Sequence, residues 1–500
     1  MFRLFGPPGT GKTTTLLNYV DRALEEGVRP SEIAFLAFTR KAAGEAKERA
    51  ARRFHLNEKT DLPYFRTLHS FAYRTLGIHE RDLLSKEHYD DLCAKTKVAL
   101  YSKASMDYDD VPSAPQEHPI LGIINLARLR KTSLRSEYNN SNIEYSWHEV
   151  EYIANAYREY KQFHGLLDYT DMLELFVKEA PRICPQFKLC FLDEAQDLSP
   201  LQWDIAHEID KKAEKMYCAG DDDQAIYRWA GADVEHFINL PGGSEVLSQS
   251  FRIPRAVHRI AESIVSRIHR RFPKQYKPKE EEGSVQRISD IAELNMAEGS
   301  WMIMAQANYM LTPIAEQLRN GGYLFERNGT RSIPESLSTA VNGWEGMRKG
   351  RPCDLHTAQT IYNKMSGNGG RVMRGMKKIN APEEQLFTIE LLRKSYGLLA
   401  DETMVWHQAM DKFPADYRAY ITALLRRGEK FNAKPRIKLS TIHGTKGGEA
   451  ENVVLMLDLT TAALRTPSDD LHRVFYVGVT RTKENLYLID PEDFARAYDL

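Results

Sequence analysis

Lys12, Thr13, Asp193 and Glu194 are the residues whose types and settings most directly carry chemistry. Lys12 and Thr13 close "GPPGTGKT" (Gly6–Thr13), a match to G-x-x-x-x-G-K-[ST]. In that pattern the glycines let successive backbone N–H groups turn inward around phosphates. The lysine neutralises β/γ oxygens, and the hydroxyl ligates Mg2+. The helix that begins there offers its positive end to the anion. Gly6, Pro7, Pro8, Gly9, Thr10, Gly11, Lys12, Thr13 and Thr14 therefore form the expected nucleotide cradle. Asp193 and Glu194 stand near the end of "KLCFLDEAQD" (Lys188–Asp197). Its apolar residues predict a buried strand whose carboxyl end delivers both carboxylates, the end at which parallel sheets bind ligands. Asp193 is expected to share Mg2+ with Thr13, and Glu194 to polarise the attacking water. The chemistry is transfer of a phosphoryl group from a nucleoside triphosphate. A glycine loop without nucleotide, or a solvated D-E turn, fits this context less well.

Other stretches narrow the class. They are "AFTRKAAGEAKERA" (37–50), "RTLHSFAYRTLG" (66–77), "LDYTDMLELF" (167–176), "AGDDDQAIYRWAGAD" (219–233), "LSQSFRIP" (247–254), "IKLSTIHGTKGGEAENVVLML" (437–457) and "HRVFYVGVTRTKENLYLI" (472–489). Their order and spacing resemble the UvrD/Rep-like superfamily 1 DNA helicases along most of the chain. The resemblance implies that Gln224 senses the γ-phosphate and couples hydrolysis to movement. It makes Arg252 and Arg481 the arginines that reach that phosphate, Arg481 from a second motor domain, as arginine fingers do. Glu449 would hold the ribose of ATP and Phe251 would stack on the base. Phe38, Tyr227 and Trp229 would stack on bases of single-stranded DNA, while Thr67, His69 and His443 would contact its backbone. Stacking contributes about 1–3 kcal/mol per base and tolerates any sequence. Tyr227 and Trp229 could instead be core aromatics, although their i, i+2 spacing beside "DDDQ" argues against it. Ala230 stands where the family often has arginine, so one contact of the pattern is missing.

The family also carries, upstream of the phosphate loop, a segment whose glutamine reads the adenine edge. Only Met1–Phe5 precede Gly6, and they read as the strand itself. The expectation is a compact member lacking that segment, with relaxed nucleotide choice: a stacking site discriminates far less than one that hydrogen-bonds a specific group.

These residues need a frame to hold them. "FRLF" reads as a strand and "KTTTLLNYVDRALEEG" as a helix ending at Gly27. The expected fold class is α/β: two RecA-like parallel-sheet motor domains, each interrupted by a mainly helical insertion. Residues 1–77 and 183–280 would form the first, with an all-helical insertion at 78–182. Residues 281–335 and 434–500 would form the second, with a small insertion at 336–433. "RRFPKQYKPKEEEG" (270–283) reads as a solvated connector, with a DNA-facing role as the lesser alternative. "KMSGNGGRVMRGMKK" (364–378), basic and glycine-rich, is either a loop that grips duplex phosphates or a solvated one. The expectation is that no nuclease-like tail follows the last motif.

Composition bounds the rest. Lys plus Arg (68) and Asp plus Glu (69) cancel to a net charge of −1, so a polyanion must be held by a local basic groove. The 500 residues exceed one hydrophobic core, which supports several domains. Cys93, Cys184, Cys190, Cys218 and Cys353 contain no C-x-x-C pair, which argues against a metal cluster or a disulfide framework. No apolar run is long enough for a membrane span, so the expected location is cytoplasmic. The expectation is an ATP-dependent helicase translocating 3′ to 5′ on single-stranded DNA, acting at single-strand/duplex junctions, monomeric or weakly oligomeric, with replication or repair proteins as partners. A translocase that strips proteins without unwinding, an RNA track, and another phosphate-loop enzyme such as a kinase or GTPase are the alternatives.

Overall fold

A computed structural model describes residues 1–102, 117–431, 433–491 and 493–500. Two separate sheets organise the chain. The first contains β1 (Phe2–Phe5), β2 (Ile33–Ala37), β3 (Phe65–Thr67), β4 (Phe187–Asp193), β5 (Ala213–Gly220) and β6 (Ser244–Val246). Its order is β3-β2-β4-β5-β1-β6, with every neighbouring pair parallel. Strands such as "IAFLA" are apolar throughout because helices cover both faces, and all five of its residues are buried.

The second sheet contains β7 (Ser284–Ile288), β8 (Trp301–Ala305), β9 (Phe325–Arg327), β10 (Thr330–Arg331), β11 (Ile437–Thr441), β12 (Ala450–Met456) and β13 (Thr482–Ile489). Its order is β10-β9-β11-β8-β12-β13-β7, and only the β9–β10 pair is antiparallel. These are the two parallel-sheet units expected from the sequence.

Between β3 and β4 the described residues form helices, among them Pro119–Leu129, Trp147–His164 and Tyr169–Ile183. Asp168 caps the last of these, accepting from the Asp171 N–H, and Arg128 and Lys161 both reach Asp168 and Asp171. The acidic "LDYTD" signature is thus an internal charge cluster of the helical layer. Between β10 and β11 lie further helices, including Glu335–Arg348, Leu355–Asn363 and Ala415–Arg427. The glycine-rich stretch 364–378 packs against them: Met365 and Val372 are buried, and Met373 N–H donates to the Gly397 carbonyl at 2.9 Å.

One expectation fails. The stretch 270–283 does not run through solvent along its first half. The Lys274 side chain is 1% exposed, and Arg271 forms two hydrogen bonds to Asp223 at 2.8 and 2.7 Å. Composition misled here because prolines and clustered charges mark loops only when the charges lack buried partners. Cys184, Cys190 and Cys218 are buried, and among the described residues no group of three or more potential ligands is arranged to hold a metal. Among the described residues no helix is long and apolar enough to cross a membrane.

Candidate nucleotide and nucleic-acid site

The parallel order of the first sheet brings the segments after β1, β4 and β5 to one carboxyl edge. Phe5 pairs with Gly220 and Leu192 with Cys218, so the three strands end nearly level. The phosphate loop occupies the turn between β1 and the helix Lys12–Glu25. Gly11 caps that helix at φ 78°, and Gly9 has φ 73°, backbone that L side chains rarely adopt. A Cβ on Gly9 would also lie 2.3 Å from the Arg252 Cβ. That close approach arises because Ser250 Oγ donates to the Pro8 carbonyl at 2.7 Å and Phe251 N–H to the Gly9 carbonyl at 2.9 Å. The loop following β6 therefore clasps the phosphate loop and carries Arg252 and Phe251 to it. Phe251 is 75% exposed and lines an open cleft with Gln249 and Lys277.

Lys12 Nζ donates to the Gly6 carbonyl at 2.8 Å, and Thr13 Oγ1 donates to Asp193 Oδ2 at 2.8 Å. The predicted pair of metal ligands is thus assembled across 180 residues of sequence. Burial, and then the adjacent Glu194 carboxylate, push the Asp193 carboxyl up to about 6. Glu194 sits at φ 55°, a left-handed conformation that costs a non-glycine residue energy and recurs at functional sites. Burial acts to raise its carboxyl, but Lys12, Lys446, Gln196 and Arg481 outweigh that and leave it below the usual range. Thr14 is exposed on the first turn of the helix.

Three polar residues beyond the predicted set complete this edge. Buried Gln196 donates to Glu194 Oε2 at 2.5 Å and to Asp197 Oδ2 at 3.1 Å, while its carbonyl accepts from Asp221 N–H at 3.0 Å. Lys446 from the second sheet pairs with Asp197 and donates to the Gln224 carbonyl at 2.9 Å. Burial raises the Asp197 carboxyl to about 7 against the pull of Lys446, and among the described residues its buried Oδ1 has no hydrogen-bond partner. The sequence signal was the polar run "EAQD" directly after an apolar strand. The run does not show its partners: Gln196 is held by Glu194, Asp197 and Asp221, and Lys446 of the second unit meets Asp197.

The second sheet meets this edge through two segments. Residues 442–449 pass from the carboxyl end of β11 to the amino end of β12. They bring His443, Lys446 and Glu449 along the cleft in that order. Arg481 follows the helix Ser468–Val479 and directly precedes β13. Arg481 is 2% exposed, and its guanidinium donates to Gln224 Oε1 at 2.6 Å, while Gln224 Nε2 donates to Asp221 Oδ2 at 2.7 Å. Burial, and then the charge of Arg252, act against the Arg481 cation, which suits it to an anionic partner. Arg252 pairs with Glu449 at 2.7 Å, and Lys483 reaches the same carboxylate at 3.1 Å. The expected phosphate-contacting and ribose-holding residues are therefore joined to each other here.

The aromatic residues gather a few ångströms away. Phe38 stacks on Tyr227 (centroids 5.6 Å, 29°), and Trp229 and His443 each lie within 6.4 Å of Tyr227. Lys446 Nζ stands 4.8 Å from the centre of the Tyr227 ring. The structure separates these aromatics: Phe38 and Tyr227 are each 6% exposed, whereas Trp229 is 56% exposed. Tyr227 thus takes the core position that sequence left as the alternative, Phe38 is packed with it and is not open to a base as expected, and the open indole is Trp229. Burial, and then Lys446, bring the His443 imidazole down to about 4, so it is neutral at pH 7. Thr67 is buried and caps the helix Leu68–Thr75, accepting from Ser70 N–H, with His69 buried in the first turn. Ala230 follows Trp229 in a short 3-10 turn that Gly231 ends.

This pairing of phosphate loop, acidic strand end and cross-sheet arginine defines a class, and the comparisons identify it. The UvrD/REP helicase N-terminal domain matches residues 3–242, and the UvrD-like helicase C-terminal domain matches residues 416–492. The chain belongs to the UvrD/Rep-like superfamily 1 helicases. It is 24% identical over 296 residues to the ATP-dependent DNA helicase PcrA of Bacillus subtilis, an alignment that covers 56% of this chain and 39% of that relative. It is 27% identical over 286 residues to DNA helicase II of Escherichia coli, with 53% of this chain and 38% of the relative covered. A probable DNA helicase II homolog of Mycoplasma genitalium aligns over 97% of this chain and 82% of its own length at 22% identity. The chain spans about two fifths of the length of the Bacillus subtilis and Escherichia coli relatives.

Proposed function

We propose that this chain hydrolyses ATP to move along single-stranded DNA in the 3′ to 5′ direction and to unwind duplex DNA ahead of it. One observation carries the reading. The eight residues 442–449 touch the aromatic cluster with His443 and the nucleotide edge with Lys446 and Glu449. A change in separation of the two sheets is therefore felt at both sites together. Family membership supports ATP and DNA as the ligands, and the direction is taken from the resemblance.

In this reading Lys12 neutralises the β/γ oxygens and Glu194 polarises the attacking water. Arg481 and Arg252 stabilise charge that develops on the transferred phosphoryl group, Gln224 reports that state to Asp221, Phe251 carries the base and Glu449 holds the ribose. Thr13 and Asp193 fit Mg2+: a hydroxyl and a carboxylate lie 2.8 Å apart, and a cation there would offset the burial and the Glu194 charge that raise the Asp193 carboxyl. When bound, the ion supplies charge neutralisation at the phosphates. Trp229 offers the open face on which a base stacks, with His443 toward the backbone of the strand, whereas Thr67 and His69 are buried at the start of the helix Leu68–Thr75. The motor domains are taken as 1–77 with 183–280 and 281–335 with 434–500. The location is taken as the cytoplasm, with the protein monomeric or weakly associated.

The test is steady-state ATP hydrolysis with single-stranded DNA, duplex DNA or RNA, beside unwinding of duplexes with 3′ or 5′ tails. Stimulation by single-stranded DNA and unwinding of the 3′-tailed substrate are expected. Stimulation without strand separation would make the chain a translocase that strips bound proteins, and turnover indifferent to nucleic acid would sink the proposal.

A further inference from the structure

The connection between the two sheets, "RRFPKQYKPK" (270–279), has the composition of a loop and the surroundings of a core element. It faces three adjacent buried aspartates, Asp221, Asp222 and Asp223. Three carboxylates so close together repel and keep their charge only beside cations. The connection provides both. Arg271 takes the two oxygens of Asp223. Lys274 Nζ reaches Asp222 at 2.5 Å, Asp223 at 2.7 Å and Asp221 Oδ1 at 3.2 Å. Phe272 N–H donates to Asp222 Oδ2 at 2.7 Å, and its ring stacks on Phe5, the residue before the phosphate loop, at 3.9 Å.

Asp221 is the member that matters for chemistry. One of its oxygens is held by Lys274 and the other accepts from Gln224 Nε2 at 2.7 Å. With its nitrogen bound there, the Gln224 amide must turn its oxygen toward Arg481, which donates to it at 2.6 Å. The reversed amide would set an NH2 group against a guanidinium. The same connection also holds the clasp on the phosphate loop: Ser250 N–H donates to the Lys277 carbonyl at 2.8 Å, and Lys277 N–H to the Ser248 carbonyl at 2.7 Å. Its first residue, Arg270, accepts at its carbonyl from Arg473, whose Nε donates to the Asp222 carbonyl at 3.0 Å. Arg473 lies on the helix that leads to Arg481.

We propose that Lys274 is a positioning residue for hydrolysis: by fixing the Asp221 carboxylate it sets the amide of Gln224 toward Arg481 and so joins the inter-sheet connection to the nucleotide site. This rests on the reading of the chain as a DNA-stimulated ATPase. It acts without touching nucleotide or DNA, so it alters turnover and leaves ligand affinity in place.

The test compares wild type with Lys274→Met/Asp222→Asn, which removes one cation and one carboxylate together, and with Asp221→Asn, which keeps the shape but not the charge that Lys274 holds. The KM for ATP and the single-stranded DNA concentration for half-maximal stimulation should stay within about threefold of wild type, while DNA-stimulated kcat falls at least tenfold. Thermal unfolding identifies which variants are folded, and the proposal requires that split in every folded variant. A folded variant whose kcat stays within threefold, or whose KM and DNA affinity move by the same factor as kcat, overturns it. Wild type without DNA-stimulated turnover would instead remove the functional reading. The positioning is then read from hydrogen exchange at the Asp223 and Gln224 amides, which donate to Asp221 Oδ1 and the Asp221 carbonyl and should lose protection in the double variant.

Discussion

Around Asp193 the polar side chains are committed to one another, whereas around Trp229 an indole stands open to solvent. Thr13, Asp193, Gln196, Asp197, Gln224, Lys446 and Arg481 form hydrogen bonds across both sheets, most of them at 2.5–3.1 Å. The aromatic side has stacked rings, a neutral histidine and one exposed platform. Both regions use the carboxyl edge of the same sheet. The difference follows the ligands each is proposed to take. A triphosphate has fixed geometry and charge, so donors held in place bind it best. A translocating motor meets every base in turn, and a π-face accepts each of them.

Breaking the committed side should have the largest effect. Lys12→Ala should leave no measurable ATP turnover, because the β/γ oxygens lose their protein counterion; a radiolabel or phosphate-release assay checks this, and DNA affinity should be retained. Glu194→Gln should slow hydrolysis by about 10²–10⁴-fold, the range of a lost general base. Filter binding should show ATP retained on the variant; loss of nucleotide binding would mean that Glu194 shapes the site and does not activate water.

The aromatic side should divide into a structural and a contacting half. Tyr227→Ala should lower stability by about 3–5 kcal/mol, as for other large buried rings, measured by urea unfolding. Trp229→Ala should leave unfolding nearly unchanged and weaken single-stranded DNA binding by about 1–3 kcal/mol, measured by fluorescence anisotropy. Equal effects of the two variants on stability would erase the distinction drawn from their burial.

The smallest effect concerns His443, held near 4 against an ordinary value near 6.5. Below pH 6.5 the unfolded chain gains a proton that the folded chain refuses, so stability falls as pH drops from 6.5 toward 4. His443→Gln removes that loss. The stability of wild type relative to the variant should therefore decline by under about 1 kcal/mol between pH 7.5 and 6. A wild-type advantage that grows with acidity would mean that His443 is charged in the fold.

The phosphate loop, the acidic strand end and the order of motifs were legible in the sequence because each is a local pattern. Glycine spacing dictates the turn at Gly9 and Gly11, and apolar runs such as "IAFLA" and "CFL" (190–192) dictate strand segments buried on both faces. Ordered motifs then identify the family. What the sequence could not state is which charges face inward. Lys274 and Arg271 sit in a proline-bearing basic stretch that reads as solvated, yet they neutralise aspartates about fifty residues earlier. Tyr227 and Trp229 are two residues apart with similar chemistry, yet one is packed under Phe38 and Lys446 and the other is open. Gln196 became part of the site where β4 and β5 end side by side, and Asp197 met Lys446 only where the second sheet closed on the first. Local pattern determines backbone conformation through sterics and periodicity. Whether a charge or a ring is buried depends on partners distant in sequence, and those are chosen when the two sheets meet.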